Sequence, residues 1–300
     1  MRVFITGASG HIGSAVVPEL LANGHQVVGL ARSESSAAAL KAAGAEVRLA
    51  NLDDLDALRE AAAAADGVIH LAFKHDIAFS GDYAGAASAD LRAIEALGAG
   101  LEGSNKRFIG TTGTLAVRGN PATEDTAAAP GPRTVAEEAA LALAKRGVRA
   151  SVIRLSPTVH SSLDHQGFVP SLIGMARKNG FVAYVGDGQN RWPALHTLDA
   201  AVLYRLALES APAGSRLHGV ADEGVAFRAI AEAIGRGLGL PAKSVPPEDA
   251  AKVLGFLGAF AQIDNPTSSK HTQELLRWQP KHPGLLADLA AGHYFASKDA

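Results

Sequence analysis

Residues 3–13 read VFITGASGHIG: a short apolar run, then glycines at 7, 10 and 13, spaced three apart. An apolar strand that ends in such a turn and opens a helix is built to approach a phosphate. Gly7 permits the tight turn, Gly10 lets backbone N–H groups come close to a pyrophosphate, and Gly13 lets helix and strand pack together. The helix expected from near His11 and Ile12 directs its positive end at the anion, and Ser9 adds a hydroxyl. Alone, a glycine turn can also serve plain packing. Its place after the first strand of a βαβαβ series makes it a dinucleotide site.

That series is legible in the next 150 residues. Short β-branched runs (RVFIT at 2–6, QVVGLA at 26–31, EVRLA at 46–50, GVIHLAF at 67–73, RFIGTT at 107–112, ASVIRLS at 150–156) alternate with alanine-rich helical stretches. Strands that are apolar throughout and separated by helices predict a parallel sheet covered on both faces, an α/β doubly wound (Rossmann) fold. After residue 157 the rhythm breaks. RWPALHTLDAAVLYRLALE (191–209) reads as one long helix, AKVLGFLGAFAQI (251–263) as a packed helix, and NPTSSKHTQELLRWQP (265–280) as loop, helix, stop. The expected organisation is a Rossmann domain over 1–156 plus about 195–220, and a smaller, discontinuous substrate-binding cap over about 157–194 and 221–300.

Composition narrows the class. At 300 residues and 47% hydrophobic content the chain can bury a large core, and its net charge of −2 with scattered Lys and Arg predicts no nucleic-acid footprint. No apolar run approaches the roughly 20 residues that span a bilayer, and a strand beginning at Arg2 leaves no room for a leader, so a soluble, cytoplasmic protein is expected. Zero cysteines exclude disulfides and thiolate sites, and no HExxH or GxSxG occurs, so no metal and no serine hydrolase is expected. GLGLPAKS (237–244) imitates a P-loop, but Ala242 replaces the second glycine and Pro241 spoils the turn.

The end of the second strand bears on which dinucleotide fits. A carboxylate there holds a ribose 2′-hydroxyl. This chain has Arg32 and Ser33 instead, and a guanidinium forks onto a 2′-phosphate that a carboxylate would repel. NADP is therefore the expected cofactor, with NAD as the other. Asn51 and Leu52, after the third strand, stand where an adenine edge would be met, though Asn51 can equally be an ordinary loop amide.

Taken in order, TGASGHIG (6–13), VIHLA (68–72), KRFIGTTGT (106–114), RLSPTV (154–159) and ALHTLDAA (194–201) resemble the extended or atypical short-chain dehydrogenase/reductases. Those are the relatives described as NAD-dependent epimerase/dehydratase. The resemblance implies that His70, Leu71, Ala72 and Phe73 line the cofactor, with Thr111 beside them. It further implies that Pro157, Thr158 and Val159 lie beside the nicotinamide. Members usually carry a Ser or Thr after the fifth strand, for which Thr111, Thr112 and Thr114 are the candidates and Thr112 the preferred one. They then carry YxxxK on the next helix. Here Gly131 falls at the tyrosine and Val135 at the lysine; none of Tyr83, Tyr184 and Tyr204 begins a YxxxK, and Tyr294 does (YFASK, 294–298) but lies far from the helix that follows the fifth strand.

A substitute acid is therefore expected. His160 follows SPTV directly, and an imidazole there can protonate an alkoxide near neutral pH. His165, Phe168, Tyr184, Arg191 and Trp192, with Thr114, form the expected substrate side, Arg191 being suited to an anionic group. The leading expectation is an NADP-dependent oxidoreductase acting on a small carbonyl or alcohol, as a monomer or homodimer. A noncatalytic NADP-binding regulator and an NAD-retaining sugar epimerase or dehydratase are the alternatives.

Overall fold

A strand buried on both faces has to lie inside a sheet with helices on each side. In the computed structural model, which describes residues 1–296, β1 (Arg2–Thr6) takes that place. It is followed by α1 (Gly13–Ala22), β2 (Gln26–Ala31), α2 (Glu34–Ala42), β3 (Glu46–Leu49), α3 (Leu55–Ala64), β4 (Gly67–His70) and α4 (His75–Phe79). The series continues with α5 (Tyr83–Leu101), β5 (Arg107–Gly113), α6 (Pro132–Ala142) and β6 (Arg149–Leu155). Val3 and Ile5 pack into one apolar layer beside α1, while Phe4 points into the other, against Leu58 and Leu97, as strand alternation requires.

The later chain adds β7 (Thr158–His160), α7 (Phe168–Asn179), β8 (Val182–Val185), β9 (Arg191–His196), α8 (Thr197–Ser210), β10 (Arg216–Gly219) and β11 (Asp222–Ala226). It ends in α9 (Phe227–Leu238), β12 (Ala242–Val245), α10 (Ala250–Leu254), α11 (Leu257–Phe260), α12 (Lys270–Leu276) and α13 (Leu285–Ala290). The main sheet has seven strands in the order β3-β2-β1-β4-β5-β6-β10, every pair parallel. Strand order reverses between β1 and β4, where Thr6 pairs with His70, so a crevice opens at their carboxyl ends. Small sheets β11-β9-β7 and β12-β8 gather a separate apolar core around Val169, Trp192, Phe227 and Ile234.

Three expected elements differ. The single helix over 191–209 is a strand, β9, and then a helix, α8. Pro193 inside a helix would cost about 3 kcal/mol, while as strand the segment pairs with β7 and β11 and buries Trp192 completely. His196 then caps α8 by accepting from the Leu198 amide at 3.2 Å. The apolar run 251–263 is broken into α10 and α11 at Gly255, whose φ of +51° ends the first helix. Helix α1 begins at Gly13, two residues past His11, with Ile12 already helical and the Ser14 amide bonded to the Gly10 carbonyl at 2.8 Å.

Candidate cofactor and catalytic site

The glycine turn is shaped by close approach. Gly7 has φ +69°, and a Cβ there would lie 2.8 Å from the Ala72 amide nitrogen after β4. At Gly13 a Cβ would lie 2.2 Å from the Gly7 carbonyl. A Cβ at Gly10 would meet only that carbonyl, at 3.2 Å, and Ser9 and Gly10 face solvent. The Gly10 amide closes the turn onto Gly7 at 3.0 Å, whereas the amides of Ser9, His11 and Ile12 have no acceptor among the described residues. Unpaired N–H groups just ahead of α1, with no acidic residue in its first turn, fit the pyrophosphate of a dinucleotide.

At the end of β2, Arg32 keeps 76% of its side chain exposed and has only a long 3.7 Å contact with Asp76. Ser33 caps α2, accepting from the Ser36 amide at 3.2 Å. Asn51 accepts from the Asp53 amide at 2.7 Å, so its carbonyl is turned into its own loop, and Leu52 is half-buried beneath it.

The carboxyl ends of β4 and β5 carry a polar chain. Thr6 Oγ1 meets His70 Nδ1 at 2.7 Å, and His70 Nε2 meets Asp90 Oδ1 at 3.0 Å. Arg133 donates to Asp90 Oδ2 at 2.6 Å and to the Thr111 carbonyl at 2.7 Å, its guanidinium 4.4 Å above the Phe73 ring. Leu71, Ala72 and Phe73 form a half-buried wall beside Gly7. The Thr111 hydroxyl turns inward, donating to the His70 carbonyl at 2.7 Å and lying 2.8 Å from the Tyr204 hydroxyl.

Thr112 also points away from the crevice. Its hydroxyl donates at 3.1 Å to Glu137, which is gripped by Arg154 through Nη2 at 2.6 Å and Nε at 2.9 Å, and by Arg216 at 3.0 Å. Burial pushes the Glu137 carboxyl up, but these donors outweigh it and hold it below the usual range. Thr114 donates to Asn265 at 2.9 Å and is fully buried, tying its loop down. Gly131 stands just before α6 with open space where a Cβ would be, and Val135 is 54% exposed. Between these two positions Arg133 is the residue that turns toward β4 and β5.

Past β6, Pro157 and Val159 are half-buried, and Thr158 donates to the Pro193 carbonyl at 2.7 Å. His160 is completely buried, its Nδ1 2.9 Å from Asp288 and its Nε2 without a partner among the described residues. The structure therefore seals His160 among Asp288 and His196 instead of presenting it to the crevice. His165 is exposed. The expected substrate side is dispersed. Phe168 and Trp192 pack together at 5.7 Å inside the smaller core, and Tyr184 lies under Arg228 at 5.5 Å. Arg191 is forked onto Asp264, at 2.8 and 3.0 Å.

Sequence reasoning missed Arg133, Asp90, Glu137 and Asp164. Asp90 had a signal, a lone carboxylate on the helical face made by Ala86, Ala93, Ile94 and Leu97. Asp164 had none, since its partners His11 and Tyr294 come from distant segments. Among the described residues no group of three or more His, Asp or Glu is placed to hold a metal, and no helix is long and apolar enough to cross a membrane.

Comparison with known proteins agrees with the fold. A protein of Schizosaccharomyces pombe described only as uncharacterized is 48% identical over 299 residues, covering 98% of this chain and 100% of that one. A sterol-4-alpha-carboxylate 3-dehydrogenase, decarboxylating, of Dictyostelium discoideum is 30% identical, covering 76% of this chain and 73% of its own. In fold, the chain matches a dTDP-glucose 4,6-dehydratase of Streptomyces venezuelae solved with NAD and TYD. The TM-score is 0.80, at 17% identity over 98% of this chain and 96% of that one. Residues 3–218 match the description of one family, and the chain belongs to it: the NAD dependent epimerase/dehydratase family.

Proposed function

We propose that the chain is an NADP-dependent oxidoreductase that moves a hydride between the nicotinamide and a small carbonyl or alcohol carbon. The observation that carries the NADP reading is Arg32: a cation at the end of β2, largely exposed, with no carboxylate at that position to hold a 2′-hydroxyl. The bound cofactor supplies or accepts the hydride. The amides of Ser9, His11 and Ile12 hold its pyrophosphate, and Arg32 with Ser33 receives the 2′-phosphate. The dehydrogenase named among the relatives supports the reaction class. With no tyrosine in the first turn of α6, the proton that accompanies the hydride comes from water or an imidazole.

Titration of both cofactors by calorimetry tests this. Charge-assisted hydrogen bonds contribute about 1.5–3 kcal/mol, so NADPH should bind about 10- to 150-fold more tightly than NADH. Arg32→Ala should erase that difference. Equal affinities in the wild type, or an unchanged ratio in the variant, would refute the NADP reading.

Two observations favour a second reading, a dinucleotide-binding regulator without turnover: the hydroxyl of Thr112 is spent on Glu137, and Gly131 brings no acid. Tight NADPH binding without NADPH consumption across a panel of aldehydes and ketones would decide for it.

A further inference from the structure

Within the glycine turn, His11 is tied to two distant segments, and the donors and acceptors around it favour one placement of its protons. Thr197 Oγ1 donates its single proton to the His160 carbonyl at 3.1 Å and accepts from Ser161 Oγ at 2.8 Å. With that proton spent on the carbonyl, the 2.7 Å contact between His11 Nε2 and Thr197 Oγ1 is satisfied by Nε2 as the donor. In the neutral ring Nδ1 is then a bare acceptor. It faces Asp164 Oδ1, another acceptor, at 3.6 Å.

That distance is too long for a hydrogen bond and suits two lone pairs with nothing between them. Asp164 is otherwise held as an acceptor, by the Gly167 amide at 2.7 Å and the Tyr294 hydroxyl at 3.3 Å. A single proton placed between Nδ1 and Oδ1 would turn the contact into a charge-assisted bond. It would draw the glycine turn toward the loop 161–167.

We propose that His11 and Asp164 act as one proton-holding pair, open in the free protein at neutral pH, which takes up a proton when a dinucleotide seats on the glycine turn. This rests on reading that turn as the pyrophosphate cradle. The backbone N–H of His11 belongs to the cradle, so the anion arrives within a few ångströms of the ring. A charge at that range moves a titration by about 1–3 pH units.

The groups facing the pair leave it poised for this. His165 on the same loop, His160 on β7 and His196 at the end of β9 all disfavour a further positive charge. With burial as the largest cause, they push the His11 imidazole down to about 4. Burial pushes the Asp164 carboxyl up to about 6, against the Gly167, Tyr294 and Gln166 donors. His160 is answered by Asp288 on α13 at 2.9 Å, with His293 3.7 Å from the same carboxylate. His196 stacks on His282 at 4.7 Å, and His282 is paired with Asp199 on α8 at 2.8 Å.

The test is calorimetric binding of NADPH to the full chain at pH 7, in imidazole and in Tris buffers, whose different ionisation heats report proton uptake. Wild type should take up about 0.5–1 proton more than Asp164→Asn, a difference that cancels any proton taken by the ligand itself. Its affinity should fall by up to about tenfold per pH unit above neutrality, whereas Asp164→Asn should bind nearly independently of pH. His11→Gln, which keeps a donor for Thr197, should also lose the uptake.

Equal uptake in wild type and both variants would overturn the proposal. A second measurement needs no dinucleotide: ring 15N shifts at pH 8 should show His11 protonated at Nε2 and bare at Nδ1. An Nδ1–H tautomer would overturn the pair outright. A correct tautomer with no NADPH binding in any form would sink the reading of the cradle, and the linkage with it.

Discussion

Replacing Glu137 by Gln tests how the crevice is supported from beneath. The carboxylate lies under the first turns of α6, 3% exposed, and Arg154 facing it is 1% exposed. Four donors converge on it: Arg154 twice, Arg216 and Thr112. A glutamine keeps the shape but not the charge, and its NH2 must confront two of those four donors. Arg154 is left as a buried cation with one bond to the glutamine oxygen, the Glu124 and Thr126 carbonyls and His218 around it, and no counter-charge bonded to it. Removing one member of a buried pair costs about 3–5 kcal/mol, and that is the loss expected in equilibrium urea unfolding at pH 7.5. The pH dependence has a definite sign. Because the folded-state pKa of Glu137 is depressed, its stabilisation is present above the unfolded value and lost as pH falls through the folded one. The gap between wild type and variant should thus narrow in acid, below about 4.5. A loss under about 1 kcal/mol at pH 7.5, or a gap that widens in acid, would refute the argument that this carboxylate holds the network together.

Gly10→Val should leave a folded protein that no longer binds NADPH in calorimetry, since its Cβ meets only one backbone atom. Gly13→Val should fail to fold, its Cβ lying 2.2 Å from the Gly7 carbonyl, as circular dichroism would show. Thr112→Val should act on stability, by about 1–2 kcal/mol in urea, because it removes one of four donors to a charged acceptor. A large fall in kcat at unchanged stability would instead restore Thr112 to the crevice. His160→Phe should cost about 1.5–3 kcal/mol through the lost bond to Asp288, read by thermal unfolding. A pH–rate profile that loses an imidazole limb in that variant would return His160 to the chemistry.

The Rossmann sheet was legible because its determinants are local. Apolar strands such as residues 2–6, helices stopped by glycine and the 7–10–13 spacing each act within a few neighbours, and the sheet they imply is the one observed. So was Arg32, since a residue placed directly after a strand stays at the strand's end whatever packs elsewhere. The segment 191–209 was not, because its Ala and Leu content speaks for helix while the partners of its first six residues, β7 and β11, lie in separate stretches before and after it. The direction in which a hydroxyl points is also beyond local reading. Thr111, Thr112 and Thr114 are adjacent and chemically alike, yet Tyr204, Glu137 and Asn265, brought from later segments, claim all three. The same holds for His11: the sequence placed it in the phosphate turn, and only the tertiary structure brought Thr197 and Asp164 to its two ring nitrogens.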